Sequence, residues 1–505
     1  MRGGSDRIGD GDSYKQHGGT IMTDPIHSSN VGRPCFLTED NKREVYGAAL
    51  EIIGRVGMVV QHDEARALLL KAGATERDDG RVRIPRKLVE TALNSAPAMI
   101  PVFDRAGTLA MELGGFNSYF GTGSDLLNTW DLDTREHRRS RLDDVALAAR
   151  LCDALPNMDF IMSSAYPNDI DAHRSYAEGF RAMVNNTTKP LVMTAEDGAD
   201  LRVMWECACK IRGGAEELRF KPYFMLYSEP SSPLMHSQTA LDKLLLCADW
   251  GVPCIYSPAP VAGATAPATH AGHVAQGTAE SLFGLVIHQL RNPGAPFLFG
   301  MGPSVLDLMT AQHTYTSPEH LTSYVCIVEM SKWLNLPNFG YSGMTDSPVV
   351  DTQAGVDITE VILLSLLIGS NLNHDCGYMD FGLTGAPEML VIVDEVVGMT
   401  RRLLRGIEVT RDTLAVDALD DVGPGGNFLA TKHMKRHQRS WQWRPTILNR
   451  NTFNRWERDG SLDLGDRARA KTKSILSTHE PALLDLEVAK YIEEQIQSFK
   501  PSVTA

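Results

Sequence analysis

Tyrosines, carboxylates and one histidine recur just behind short β-prone runs of this chain. In order they are Asp125; Ser163-Ser-Ala-Tyr166; Tyr227-Ser-Glu229; Tyr256-Ser257; Gly300-Met-Gly302; Tyr341-Ser-Gly-Met-Thr-Asp346; and Asn373-His374-Asp375. Aromatic faces beside a few anions suit a quaternary or protonated amine. The ring quadrupole draws the cation, and a fully methylated nitrogen has no hydrogen bond to give. The same residue types also do plainer work. A tyrosine at a strand end can be packing, Glu229 before Pro230 can end a strand, and Asp346 and Asp351 can be turn or N-cap residues. His374-Asp375 follows the apolar run Val361–Gly369, where a charged pair is costly unless it is paired or used. Hydrolysis has no support, since no H-x-H, H-E-x-x-H or G-x-S-x-G occurs.

These positions do chemistry only if the fold gathers them. From about residue 155 the sequence alternates regularly. β-prone runs at Met158–Ser164, Pro190–Thr194, Tyr223–Tyr227, Pro253–Ser257, Pro296–Gly300, Asn338–Tyr341 and Asn371–Asp375 are separated by helical patterns. Strand, crossover helix and strand at this pitch predict a parallel sheet. Phe116–Phe120 supplies an eighth run, the number that closes a (β/α)8 barrel, whose catalytic groups lie at the C-terminal strand ends. An open doubly wound sheet is the alternative. It calls for a glycine-rich phosphate loop after the first strand, and neither G-x-G-x-x-G nor G-x-x-x-x-G-K-[ST] occurs at a strand end. The predicted fold is therefore α/β, a (β/α)8 TIM-type barrel over residues 116–410. A disordered segment is expected over 1–35, an α-rich cap over 36–115, and a helical C-terminal appendage over 411–505.

Composition narrows the partners. The chain has 505 residues, 43% of them hydrophobic, and a net charge of −14, which disfavours nucleic acid and anionic lipid. The eight cysteines lie scattered in apolar stretches, and Cys207 and Cys209 have no second pair at zinc spacing. No metal is expected. His433 and His437 stand at ligand spacing, but in a basic stretch that reads as a solvated face. The N-terminal segment has no apolar signal region and no run spans a bilayer, so a cytoplasmic protein is expected, with no membrane partner.

Several segments, in consistent order from about residue 40 to 410, resemble the trimethylamine methyltransferase family. They are Tyr119-Phe-Gly-Thr-Gly-Ser-Asp125, Ala262–Pro267, Gln289–Pro296, Asp351-Thr-Gln-Ala-Gly355, His374-Asp-Cys-Gly-Tyr378 and Glu388–Gly406. The resemblance implies a (β/α)8 barrel, a methylated amine as donor, and a partner protein whose corrinoid (cobalamin) accepts the methyl group. No cofactor would be bound by this chain itself, and a homo-oligomer is expected. The founding trimethylamine enzymes carry pyrrolysine, whereas this chain holds only standard residues. That departure favours a quaternary amine such as glycine betaine over trimethylamine.

A quaternary methyl carbon is already electrophilic, so the protein's task is positioning. Positive charge disperses as the C–N bond breaks, and an anion held against nitrogen would favour the ground state. Aromatic or weakly polar contacts are expected at the nitrogen, and basic or hydrogen-bonding groups at a betaine's carboxylate. The expected catalytic residues are His374, Asp375, Glu229 and Asp346. The expected substrate-binding residues are Tyr119, Asp125, Tyr227, Tyr378, Gly300 and Gly302, the glycines allowing close backbone approach. A catalytically idle amine-binding barrel and a metal-dependent lyase or hydrolase are the rival readings.

Overall fold

The computed structural model describes residues 32–500. Most of the segment expected to be disordered lies outside that range. The centre of the fold is a parallel sheet of seven strands: β1 (Tyr119–Thr122), β2 (Leu191–Met193), β3 (Phe224–Ser228), β4 (Cys254–Tyr256), β5 (Phe297–Gly300), β6 (Asn338–Tyr341) and β7 (Leu372–Cys376). Their spatial order is β1-β7-β6-β5-β4-β3-β2. The helices between them are α1 (Leu142–Ala154), α2 (Ser175–Asn186), α3 (Gly198–Arg212), α4 (Gln238–Trp250), α5 (His270–Arg291), α6 (Pro318–Trp333) and α7 (Thr352–Ile368), and α8 (Pro387–Leu404) follows β7.

Local chemistry sets these boundaries. Asp197, Ser237, Ser317 and Asp351 each accept a backbone N–H at a helix start. Gly213, Gly251 and Gly369 end α3, α4 and α7 in the left-handed conformation that glycine adopts without strain. Helix α5 is buried continuously from His273 to Gln289. It is enclosed because the sheet covers one side, while the N-terminal helices Glu39–Glu51 and Arg86–Ser95 cover another.

Two stretches depart from the sequence expectation. The run Met158–Ser164 forms no named strand. It lies between the two edge strands through single bridges, Gly121 to Phe160 and Ile161 to Leu191. Polar ties hold it there. Asp159 accepts from Phe120 N and pairs with Arg401 at 2.7 Å, and the Lys189 ammonium donates to the carbonyls of Cys152, Leu155 and Met158. The first strand also begins later than Phe116, because Gly114 and Gly115, both at positive φ, turn the chain there.

The segment read as an α-rich cap also carries an antiparallel hairpin, Met99–Phe103 with Leu109–Gly114. Its Ile100, Val102, Met111 and Leu113 join Phe160, Met162, Val192, Met225, Ile255, Leu298, Phe339 and Leu372 in one apolar cluster on one face of the sheet. Phe103 N donates to Pro222 O and Asn371 donates to Gly114 O, which puts the hairpin at the N-terminal strand ends. The hairpin's apolar side chains fill the centre of that end. Helix Leu464–Thr478 packs on α8, and helix Leu486–Ser498 on α2 and α3. Among the described residues no helix is long and apolar enough to cross a membrane.

Candidate active site

The C-terminal strand ends enclose a cavity of about 200 Å³. Its wall carries the carboxyls Asp125, Glu229 and Asp375, the rings of Tyr227, Tyr315, Tyr341 and Tyr378, and the imidazoles of His320 and His374. Ser124, Met162, Ala259, Gly302 and Ser304 complete it. The volume falls below the roughly 300 Å³ at which pockets for drug-sized ligands begin, so the ligand it suits is small.

Strand β7 supplies two adjacent wall residues, although neighbours in a strand normally face opposite ways. The register of β7 against β1 shifts between Asn373 and Cys376, and Asp375 has φ +70°. This bulge turns both His374 and Asp375 toward the cavity. Asp125 and Ser164, at neighbouring strand ends, also have positive φ. Non-glycine residues held this way tend to cluster at functional sites. Gly123 and Gly302 keep the wall thin. A Cβ on Gly123 would lie 2.4 Å from Asp375 Oδ1, and one on Gly302 2.6 Å from the Tyr341 hydroxyl.

The imidazole of His374 is packed against two aromatic rings and hydrogen-bonded at Nδ1. Phe339 stacks on it with centroids 3.9 Å apart, and Tyr341 lies at 4.5 Å. Nδ1 is 2.7 Å from Gly340 O, an atom that only accepts, so Nδ1 carries the proton. Nε2 faces Asp375 Oδ1 at 3.2 Å. Burial pushes the His374 pKa down to about 3 and the Asp375 pKa well above 3.8. Both shifts come from desolvation and weigh against the charged form of each group. The two other carboxyls are also raised by desolvation. Glu229 lines the cavity. It accepts from the Tyr227 hydroxyl at 2.5 Å, and Asp125 accepts from Ser124 Oγ at 2.7 Å. The Tyr378 hydroxyl donates to Ser124 O. Burial also lowers the His320 pKa to about 3, and neither of its ring nitrogens has a partner.

Of the residues singled out from the sequence, Asp125, Tyr227, Glu229, Gly302, His374, Asp375 and Tyr378 therefore meet around one cavity. Three lie elsewhere. Tyr119 packs on the apolar cluster at the plugged end, where its hydroxyl accepts from Glu112 N. Gly300 packs against Ser257 and Phe339 inside the sheet. Asp346 accepts from Tyr315 N, Thr316 N and Thr316 Oγ1, holding the loop that carries Tyr315 rather than lining the wall.

Tyr315 and His320 went unread in the sequence. The first follows a short hairpin strand, His313–Thr314, and the second lies in the first turn of α6, so neither stands behind a strand of the parallel sheet. Tyr341 was visible as the last residue of its strand but was not singled out. Outside the barrel region, Asp412 joins His433 and His437 with ligand atoms within 4.8 Å of one another. Arg436 and His437 already pair with that carboxylate.

Comparison with known proteins bears on this site. Residues 12–503 match the family described as trimethylamine methyltransferase (MTTB). A trimethylamine methyltransferase of Desulfitobacterium hafniense (strain DSM 10664 / DCB-2) is 29% identical over 464 residues, covering 91% of this chain and 93% of its own. A glycine betaine methyltransferase of Desulfitobacterium hafniense (strain Y51) is 27% identical over 467 residues, covering 92% and 96%. Among solved structures, the monomethylamine methyltransferase of Methanosarcina barkeri aligns with a TM-score of 0.44 at 11% identity, over 88% of this chain and 96% of that one.

Proposed function

Because the chain belongs to the trimethylamine methyltransferase family, we propose that it moves a methyl group from a methylated ammonium to the Co(I) corrinoid of a partner protein. The observation that carries this is the cavity itself, small, walled by four tyrosines and three carboxyls, and placed at the C-terminal strand ends. We read the sheet as a (β/α)8 barrel with the Phe160–Ile161 segment as its eighth stave. The bridges on both sides of that segment support this.

The corrinoid is a substrate brought by the partner, and it supplies a strong nucleophile. The C–N bond breaks with its electron pair staying on nitrogen, so a quaternary donor leaves as a neutral tertiary amine and no proton moves. The protein binds and aims. Tyr227, Tyr315, Tyr341 and Tyr378 offer ring faces to the cation. Desolvation raises the pKa of all three carboxyls, so each holds a charge less readily than an exposed acid. They therefore favour the ground state less than ionised groups would, which matters because charge at nitrogen falls in the transition state. His374 and Asp375 hold their shared geometry against the donor. The acceptor approaches past the hairpin between Ser304 and Tyr315, whose tip residues Leu308 and Met309 are 83% and 93% exposed. Apolar side chains standing this free at the mouth suit a docking partner.

The test is spectroscopic. A corrinoid protein is reduced to Co(I), this enzyme is added, and glycine betaine, choline, carnitine and trimethylamine are supplied in turn. Conversion of the Co(I) spectrum to the methylated form with one donor is the expected result. Binding of an amine without any conversion would replace the enzyme by an amine-binding protein.

A further inference from the structure

We propose that the donor is a net monocation with no carboxylate of its own, so that the cavity takes choline-like and simple quaternary amines and rejects betaines. This rests on the methyl-donor role proposed above and narrows its substrate.

A betaine would bring a carboxylate into this cavity along with its methylated nitrogen. The wall meets it with three acids, Asp125, Glu229 and Asp375, and among the described residues no lysine or arginine lines it. Lys243 acts on Asp125 and Glu229 from a distance, but its ammonium donates to Ala195 O and stands outside the lining. The two imidazoles offer no compensation. To neutralise an incoming anion, His320 or His374 would have to take up a proton, and burial holds both near a pKa of 3. The hydroxyl protons of Tyr227 and Tyr378 are already given to Glu229 and to Ser124 O, and Tyr315 and Tyr341 offer only neutral hydroxyls, which cancel no charge.

The acids respond in opposite senses to the two ligands. A bound monocation favours their ionised forms and gains attraction as they lose protons. A bound carboxylate raises their pKa values further and gains at most a hydrogen bond from an acid that keeps its proton, with no positive charge to oppose its own. In a space of about 200 Å³ the second charge of a small betaine stays close to these acids. Rejection of a wrong charge in this way is a difference between two affinities, built from repulsion as much as attraction.

The test is calorimetric titration of the full-length protein with tetramethylammonium, choline and glycine betaine at mildly alkaline pH. Choline and tetramethylammonium are expected to bind on the order of a hundredfold more tightly than glycine betaine, the scale of a like-charge penalty. Glycine betaine binding within about threefold of choline, or more tightly, overturns the inference while leaving the amine site intact. No binding of any of the three overturns the functional reading beneath it. Glu229→Gln separates charge from shape. It is expected to narrow the choline-to-betaine ratio by about fivefold or more, and an unchanged ratio overturns the electrostatic argument.

Discussion

Asp375→Asn is expected to stabilise the ligand-free protein while weakening its hold on a cation. Asp375 is 2% exposed and its folded pKa is raised well above 3.8 by desolvation. Asparagine copies the protonated acid. It keeps a neutral polar group beside His374 Nε2, while the bond from Nδ1 to Gly340 O holds the ring in place. It also tolerates the φ of +70° better than most side chains. Below the ordinary value of 3.8 the acid is protonated in both folded and unfolded chains, and wild type and variant are equally stable. Above it the unfolded acid ionises while the folded one keeps its proton. Wild type then loses about 1.4 kcal/mol per pH unit until the folded pKa is reached.

The variant escapes that loss. Its apparent Tm at mildly alkaline pH is expected to exceed wild type by about 1–2 °C for each kcal/mol recovered. Binding moves the other way. A cation roughly 5 Å from the carboxylate at an effective dielectric of about 20 gains about 3 kcal/mol. Part of that removes the proton, leaving about 1–2 kcal/mol, or roughly tenfold in affinity. Wild-type affinity for tetramethylammonium therefore rises with pH, and the variant's rises less. Differential scanning fluorimetry and calorimetric titration across pH read both effects. A variant less stable than wild type at mildly alkaline pH, or one with an unchanged pH slope of binding, would refute the reasoning.

His374→Ala is expected to lower methyl transfer by well over tenfold, the loss typical of a positioned group, with the protein still folded; wild-type turnover would remove His374 from the site. Leu308→Asp with Met309→Asp should raise the KM for the corrinoid protein about five- to tenfold and leave amine affinity and Tm unchanged, since both side chains are free of the core. A steady-state titration of the partner protein reads the KM. Leu113→Ala, in the hairpin at the N-terminal strand ends, should cost about 3 kcal/mol in denaturant unfolding, and a loss under about 1 kcal/mol would show the plug to be loosely packed.

Much of the architecture is written locally. Strand runs such as Asn338–Tyr341 have the bounds that the sequence predicts, and helices such as Gly198–Arg212 and Pro318–Trp333 lie in the helical patterns between the runs, because caps, glycine stops and apolar periodicity act within a few residues. The motif order fixes the family, and the strand-end reading reaches His374, Asp375, Glu229 and Tyr227 without any coordinates. The tertiary structure decides which faces meet. Tyr119 and Asp125 both belong to the first strand and its end, yet pairing with β7 sends one to the plugged end and the other to the cavity.

A two-residue alternation cannot predict that His374 and Asp375 face the same space, since the bulge depends on how β7 registers with β1. Tyr315 and His320 enter the wall only because an excursion after β5 folds back and Asp346 pins it. The hairpin at residues 99–114 is silent about its role until the sheet gives it an apolar face to fill. Periodicity is a short-range property of the backbone and survives in the sequence. Register, bulges and the meeting of distant loops are long-range, and the charge and shape of the cavity are made from those.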